Sequence, residues 1–459
     1  MGKIEGFSFL LVSLIIFFSA TQLGLHFWPL SALVYGVRID YLSPTIYFLD
    51  LLIILYLAIK RLDLVDCKLN QKPTRSNLEG AIIPVLLVNL LFSANPLSTL
   101  SWSLHFLLYF LFLRTVLDRR PEQSSSRDAE GGRTVLYGTL RLALVLALLF
   151  QTIIALAQVS LGHSVGGPMY YLGERSVAVG SPAIALGTFI DHVVLRAYGT
   201  FSHPNVLAGW LAVTLLIILQ LRKQRAVRIS DLLRKSWPAA KMFNRTSTTS
   251  SETGSDLIGI ISLVSITAFG VLLTQSRSAA FSLFGFIIPI YLLKSFKSRI
   301  IYFVIILSTI YYLPSTIIPI RSDLSSTQRL DLQGLSLKVI SHFPVFGTGA
   351  QASISTYPAL LQPKPRGLGG LQPDHNSFTL LLSWFGFFGV IALGSDLLRR
   401  RAQRVFSRTP KTNSETRSNP QSVFMTLLPL FPLFLLDHYF LTSPQGLFIL
   451  LLYLTIALN

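Results

Sequence analysis

The sequence predicts an all-α polytopic membrane protein, and its composition, its apolar runs and the charge of its loops each support that class. Of the 459 residues, 51% are hydrophobic and 13% are charged, and the mean hydropathy is +0.57. Soluble domains carry about a quarter charged residues, so this balance excludes a water-soluble fold of this length. The apolar residues form long runs without helical or strand-like polarity, which is typical of membrane spans.

These runs predict twelve transmembrane helices in a single domain that covers residues 1–459. Each run is mostly unbroken by charge, and polar segments separate it from the next. The predicted spans are 7–20, 44–59, 80–92, 98–117, 139–160, 204–221, 257–273, 279–293, 300–315, 376–393, 423–436 and 444–458.

Basic residues predict the orientation of the spans. Most of the 39 lysines and arginines fall in the N-terminus and in alternate loops, namely 60–79, 118–138, 222–256, 294–299 and 394–422. The positive-inside rule places these segments, and both termini, in the cytoplasm. The net charge of +18 is then mainly a topology signal and no indication of nucleic-acid binding. The opposite loops hold only Arg38, Arg175, Arg196, Arg277, Arg321, Arg329, Lys338, Lys364 and Arg366.

Two further features of the chain concern processing and redox chemistry. Lys3, the apolar run after it and the small residues Ser19 and Ala20 also fit a cleavable signal peptide, so both interpretations of the first span stay open. Cleavage would leave the sidedness of the later spans unchanged. Cys67 is the one cysteine, so the sequence offers neither a disulfide framework nor a cysteine metal site.

The loops divide into two kinds. The cytoplasmic loops 222–256 and 394–422 are rich in Ser, Thr and charge, and we expect them to be flexible. The outer segments 161–203 and 316–375 mix glycine with aromatic and apolar residues, so we expect them to be ordered. Apolar positions between Leu330 and Ile340 predict a short interfacial helix, which Pro344, Gly347 and Gly349 would end.

Two arginines on the predicted outer side are candidate phosphate ligands. Arg196 lies about eight residues before the sixth span, and Arg277 lies in the short turn TQSRSAAF between the seventh and eighth spans. A guanidinium stays charged and can bind phosphate oxygens with two parallel hydrogen bonds. Either arginine could instead be an interfacial anchor that extends to water.

Two histidines stand where the chain begins a predicted span. His375 follows Asp374 and precedes Asn376, and either neighbour could cap the helix, so His375 is either part of a cap or a general base. His203 precedes Pro204 and is better explained as a neighbour of a helix start.

The sequence favours neither a metal site nor a nucleotide-phosphate loop. Asp191, His192, His203, Asp374 and His375 lack the i,i+4 histidine pair of a metal-binding helix. The glycines of PRGLGGLQ lack the flanking strand and the Lys-Ser/Thr pair of a phosphate loop. We therefore expect no metal and no cofactor.

Four stretches, taken in order, resemble the O-antigen ligase-related family of bacterial inner-membrane glycosyltransferases. They are LRAYGTFSHPNVLAG, LTQSRSAAFSLFGF, RLDLQGLSLKVISHFPVFGTG and DHNSFTLLLSWFGFFG, between residues 195 and 389. That family includes O-antigen ligases, O-antigen polymerases and protein O-oligosaccharyltransferases. The resemblance implies a GT-C-like catalytic core over residues 204–393.

The resemblance also implies residue roles. Arg196 and Arg277 would bind the diphosphate of an undecaprenyl-linked glycan donor, with Arg329 as a further phosphate contact. His375 would activate the acceptor hydroxyl of a glycan, lipid or protein, and no metal would take part. Asn205 and Asn376, within the matching stretches, complete the expected substrate-binding set.

Two other functional classes remain open from the sequence. A lipid-linked sugar flippase or transporter fits twelve spans, but transport needs polar groups near the bilayer midplane. His105 and Arg114 in the fourth predicted span are such groups, whereas the other candidates cluster at span ends. A structural scaffold would leave the two ordered outer segments without a purpose.

Overall fold

A computed structural model describes residues 3–67, 79–117, 126–182, 184–189, 192–236, 250–292, 324–361, 370–406 and 427–458. These residues are mostly helical. The helices are α1 (Lys3–Phe18), α2 (Phe48–Cys67), α3 (Glu79–Leu91), α4 (Pro96–Leu117), α5 (Ser126–Leu161), α6 (Pro204–Ser236), α7 (Ser250–Thr274), α8 (Arg277–Ser282), α9 (Ile288–Leu292), α10 (Leu324–His342), α11 (Tyr357–Leu360), α12 (Ser377–Phe406), α13 (Phe431–Leu436), α14 (Tyr439–Thr442) and α15 (Pro444–Leu458). A π-helical turn over Leu283–Ile287 joins α8 to α9.

Five of the described helices are long and apolar enough to cross a membrane, which is consistent with the all-α membrane class. They cover Pro96–Leu117, Thr134–Leu161, Pro204–Arg222, Leu257–Thr274 and Ser377–Ser395. Shorter apolar helices cover Gly6–Phe18, Ile82–Leu91, Arg277–Tyr291 and Pro444–Ala457. Both groups coincide with predicted spans, and the predicted span 300–315 lies outside the described residues.

Two predicted spans differ from the structure. The range 44–59 begins as the strand Thr45–Tyr47, and α2 starts only at Phe48 because the Asp50 carboxylate accepts the Tyr47 N–H at 2.8 Å. In the range 423–436, the described part is a 3₁₀ turn over Leu428–Leu430 followed by α13.

The described strands form three two-stranded antiparallel sheets. β1 (Gly24–His26) pairs with β4 (Thr45–Tyr47), and β2 (Leu33–Val34) pairs with β3 (Val37–Arg38). β5 (Leu186–Phe189) pairs with β6 (His192–Leu195) and leads directly to Arg196. Residues 24–47 are here called the cap. The cap has its own apolar core, in which Ala32 and Leu42 pack with Val339 of α10 and with Tyr357.

Helix α6 is the centre of the bundle. Its apolar part is 94% buried, whereas the membrane segment of α7 is 22% buried. Helices α5, α7 and α15 pack against α6. A helix that is apolar on all sides needs partners all round, and α6 finds them in protein. The first residues of α6 are therefore held firmly at one end of the bundle.

Helix α12 is kinked at Gly386, where the backbone has a φ of 60°. The opened turn bonds to the chain after α10: Phe388 N–H donates to the Val345 carbonyl at 3.0 Å, and Gly349 N–H donates to the Trp384 carbonyl at 3.0 Å. A Cβ on Gly386 would lie 2.3 Å from the Val345 carbonyl oxygen. The glycine-rich ends of two matching stretches thus bond to each other and fix the part of α12 around Gly386.

Several helices continue into ranges expected to be loops. Helix α6 continues to Ser236, and α7 begins at Ser250. Helix α12 continues to Phe406. The rest of the expected loops, 237–249 and 407–422, lies outside the described residues. The helix expected before Pro344 is α10, which ends at His342 and is longer than expected.

Candidate active site

Arg196 is held by backbone and side-chain contacts from two helices, α6 and α7. The next residue, Ala197, donates its N–H to the carbonyl of Leu273 at the end of α7. Arg196 Nε donates to the Thr274 carbonyl at 2.7 Å, and Nη2 donates to Asn205 Oδ1 at 2.7 Å. These two bonds fix the plane of the guanidinium. Its Nη1 group has no hydrogen bond to a described residue, so it can bind a ligand.

Other arginines surround Arg196. Burial lowers the pKa of Arg196, and the charges of Arg329 and Arg277 lower it further, while Tyr198 and Asp437 raise it. The guanidinium nonetheless stays charged at neutral pH. Arg277 and Arg329 therefore both lie within electrostatic reach of Arg196, so positive charge is concentrated at this end of the bundle.

Arg277 begins α8 after a tight turn, as the sequence predicts. Only Gln275 and Ser276 separate it from the end of α7, and Gln275 has a left-handed backbone with a φ of 52°. The Arg277 side chain is exposed. The next residue, Ser278, is buried and donates its hydroxyl to Asp437 Oδ2.

Asp437 connects the predicted site residues. It follows α13 in an extended conformation, and its side chain is 2% exposed. Asn205 Nδ2 donates to Oδ1 at 3.2 Å. Arg329 Nη2 lies 4.0 Å from the same oxygen, and His375 Nδ1 lies 3.8 Å from it. A buried carboxylate needs charged or donor partners, and here residues from four separate segments supply them.

His375 lies at the start of α12, and its side chain is 20% exposed. Asn376 Oδ1 accepts the Phe378 N–H at 2.9 Å, so Asn376 is the helix cap. Asp374 supports this turn by accepting the Asn376 N–H at 3.0 Å. His375 Nδ1 is buried and has no hydrogen-bond partner among the described residues, although it faces Asp437.

His438 packs against His375. The two ring centroids are 4.9 Å apart with the rings at 63°. His438 Nδ1 lies 2.7 Å from the Thr442 hydroxyl, and on its other side the ring of Tyr41 lies 5.7 Å away. Burial lowers the pKa of His438 well below its usual value, and the charges of His375, His203 and Arg329 act in the same direction. His438 is therefore neutral at physiological pH.

Two predicted substrate contacts have structural bonds. Asn205 bridges Arg196 and Asp437 with its amide. Arg329, in α10, is one-third exposed and its Nη1 lies 3.4 Å from the Leu436 carbonyl. His203 is exposed, and its Nδ1 accepts the Asn205 N–H at 3.2 Å, as expected for a neighbour of a helix start.

Of the residues weighed as metal ligands, Asp191 lies outside the described residues, and His192 is exposed on β6. Within the described ranges, no group of three or more His, Cys, Asp or Glu side chains is placed to hold a metal ion.

Sequence reasoning missed Asp437, His438 and Ser278. A signal for the first two exists, because Asp437 and His438 interrupt the apolar stretch FPLFLLDHYFL. An ionisable residue at such a position is by default a functional candidate. Ser278 has no comparable signal, since small residues are common wherever membrane helices pack closely.

Comparison with known proteins adds one match. A family model described as O-antigen ligase matches residues 262–394. A search of curated proteins found no match. The matched segment contains Arg277, Arg329 and His375, whereas Arg196 and Asp437 lie outside it. The resemblance noted in the sequence is thereby confirmed over residues 262–394, which match the O-antigen ligase family model, in a chain with helices long and apolar enough to cross a membrane.

Proposed function

We propose that this protein transfers a glycan from an undecaprenyl-diphosphate-linked donor to an acceptor hydroxyl, at the outer face of a bacterial cytoplasmic membrane. The observation that carries the proposal is the convergence of Arg196, Arg329 and His375 around Asp437. The proposal includes twelve spans with both termini in the cytoplasm, because the basic loops favour that topology. In this topology, the end of the bundle that holds Asp437 faces outward.

The arginines suit a diphosphate. Attack on the anomeric carbon breaks its bond to the diphosphate oxygen, so negative charge grows on the leaving group. Fixed guanidiniums in a partly dehydrated site stabilise that charge as it develops. Arg196 can donate from Nη1 to a phosphate oxygen while its bonds to Thr274 and Asn205 hold the guanidinium in place. Arg196 and Arg329 both interact with the one carboxylate of Asp437, so positive charge is in excess around it. That excess supplies the electrostatic help that a metal ion gives elsewhere, and we propose a metal-independent reaction.

His375 suits the role of general base. An Nδ1 proton directed at Asp437 leaves Nε2 as the lone-pair nitrogen, which can accept the acceptor hydroxyl's proton. The hydroxyl oxygen then bonds to the anomeric carbon, and undecaprenyl diphosphate departs. The nearby carboxylate stabilises the imidazolium that forms. Asn376 orients the start of α12, and Asn205 orients Arg196.

Activity of purified protein in liposomes tests this proposal. Arg277→Ala and His375→Ala should each abolish release of undecaprenyl diphosphate, and Lys338→Ala, which removes an exposed charge from α10, should not. Full activity of either site variant at normal membrane insertion would contradict the proposal.

The acceptor class separates the members of the family. A ligase attaches whole chains to a lipid core, a polymerase extends a polysaccharide, and a protein acceptor is a third choice. We propose the ligase reaction first. Loss of all long chains from their anchor in a deletion strain would support a ligase, and single-unit capping would support a polymerase.

A flippase is the second candidate, and one observation favours it. Asp50 is buried beside α4, where His105 Nε2 lies 3.1 Å from one carboxylate oxygen and Tyr109 donates to the other at 3.0 Å. A buried ionisable pair within a bundle is typical of transport proteins. Yet Tyr47 N–H also bonds to Asp50, so this carboxylate already has three partners. A flippase would move donor between leaflets without releasing undecaprenyl diphosphate.

A further inference from the structure

Three neighbouring polar side chains lie on the cap and on the segment after α5, and one of them contacts His438. Tyr41 packs its ring 5.7 Å from the His438 ring, which in turn contacts His375. Asp40 Oδ2 lies 3.4 Å from Arg175 Nη2. The charges of Asp40 and Arg175 both act on the Tyr41 hydroxyl. We call these three side chains, Asp40, Tyr41 and Arg175, the Tyr41 surface.

The Asp40 side of this surface is rigid. Asp40 begins a 3₁₀ turn that ends at Leu42, whose side chain is fully buried in the cap core. The residue before it, Ile39, donates its N–H to the Ala32 carbonyl at 3.0 Å. The backbone is therefore fixed, while the Asp40 carboxylate itself is 54% exposed.

The Arg175 side is equally rigid. The preceding residue, Glu174, is buried, and its carboxylate accepts hydrogen bonds from Gln158 Nε2 at 2.7 Å, from Val165 N–H at 2.7 Å and from Gly166 N–H at 2.8 Å. A buried carboxylate with three donors holds the segment in one conformation. Arg175 thus has a fixed base and a half-exposed head group.

The pair between Asp40 and Arg175 stabilises the fold little, because exposed ion pairs contribute at most about 1 kcal/mol. The Tyr41 hydroxyl also has no hydrogen bond to a described residue. Burial, with help from Asp40, raises the pKa of Tyr41 to about 12, so the hydroxyl keeps its proton and can donate. The Asp40 and Arg175 head groups are thus half exposed on rigid backbone, and the adjacent Tyr41 links them through the His438 ring to the proposed base.

The chemistry of the three groups fits a sugar ring. A carboxylate accepts sugar hydroxyl protons, a guanidinium donates to hydroxyl oxygens, and a phenol does either while its ring covers an apolar face. We propose that the Tyr41 surface is the acceptor subsite, and that the acceptor it binds is a saccharide. This inference rests on the proposed glycosyl transfer, in which the acceptor must approach His375.

Saccharide binding to the full-length protein in lipid nanodiscs tests this assignment. The probes are the methyl glycosides of glucose, galactose, mannose and N-acetylglucosamine. Their binding is measured by saturation-transfer NMR. We expect signal from the wild type and from the control Lys338→Ala. Asp40→Ala/Arg175→Ala should weaken binding about 10-fold or more, the size expected when hydrogen bonds to charged groups are lost. The double variant removes both charges, so it leaves neither unpaired.

Two further measurements separate this inference from the proposed function. Tyr41→Phe removes only the hydroxyl and should weaken saccharide binding while folding is unchanged. Undecaprenyl diphosphate alone should bind the wild type and the double variant equally, and should bind Arg196→Ala poorly. Equal saccharide signal from the wild type and the double variant, or displacement only by a Ser/Thr peptide, would overturn the acceptor assignment. Failure of Arg196→Ala to affect undecaprenyl diphosphate binding would instead overturn the donor site.

Discussion

Asp437→Asn removes one charge from the centre of the site and keeps its shape. The Asn amide oxygen can accept from Asn205 Nδ2 as Oδ1 does, at 3.2 Å. The new amide nitrogen faces the Ser278 hydroxyl and can donate to it, because Ser278 has a second hydroxyl neighbour in Ser276 at 3.2 Å. We therefore expect Asp437→Asn to insert and fold normally.

The lost charge should slow the reaction. The carboxylate acts on the imidazolium of His375 across 3.8 Å. With an effective dielectric constant near 20, this attraction is about 4 kcal/mol. The His375 side chain is 20% exposed, and screening by water reduces the attraction to roughly half, or about 2 kcal/mol. Because the charge on His375 exists only after proton transfer, this loss falls on kcat and is about 30-fold.

The assay is initial-rate release of undecaprenyl diphosphate in liposomes, with melting temperature measured on the same samples. Ser278→Ala is the matched control: it removes one hydrogen bond to Asp437, should cost about 1 kcal/mol of stability and should leave kcat within a few-fold. Asp437→Ala leaves several buried partners unpaired and should unfold more easily, by about 3–5 kcal/mol. Wild-type kcat in a well-folded Asp437→Asn protein would refute the reasoning.

Three other predictions follow from particular contacts. Arg196→Lys keeps the charge but cannot bond both Thr274 and Asn205, so we expect a loss of about 10²-fold in kcat/KM at unchanged protein level. Near-normal turnover would contradict the idea that a fixed guanidinium orientation is needed. His438 has a lowered pKa in the folded protein, so its contribution to stability should be full above about pH 6.5 and fall as the pH drops, because the unfolded chain takes up the proton first. Melting curves of His438→Gln should therefore depend less on pH in the acid range than those of the wild type. An unchanged acid dependence would contradict this origin. Gly386→Ala must place a Cβ 2.3 Å from the Val345 carbonyl oxygen at positive φ, so we expect destabilisation above about 3 kcal/mol in thermal unfolding of the detergent-solubilised protein. Gly394→Ala is the neutral control, because a Cβ there meets open space.

The sequence predicts the membrane class well, because long apolar runs and basic loops are local signals. It also predicts the turn before Arg277 and the helix start at Pro204, and it narrows the N-cap of α12 to Asp374 or Asn376, because these features depend on a few neighbouring residues. The pairing of β1 with β4 could not be predicted, because the chain between these strands shows no strong alternation of apolar and polar residues.

The centre of the site could not be predicted for a different reason. Asp437 meets Asn205, Ser278, Arg329 and His375 only after distant segments pack together. A single sequence shows the types of those residues but not which of them share one carboxylate. The kink at Gly386 is similar, because the opened turn is held by a hydrogen bond from Phe388 N–H to the carbonyl of Val345, 43 positions earlier. The site around Asp437 and the kink at Gly386 both depend on contacts between residues far apart in the sequence.

The most direct test of the account is glycan transfer by purified protein in liposomes that contain an undecaprenyl-diphosphate-linked glycan and a lipid-core acceptor. We predict that the wild type joins glycan to acceptor and releases one undecaprenyl diphosphate for each bond formed. His375→Ala and Arg196→Ala should do neither, while Lys338→Ala behaves as the wild type. Donor movement between leaflets without release of undecaprenyl diphosphate, or full transfer by His375→Ala, would contradict the account.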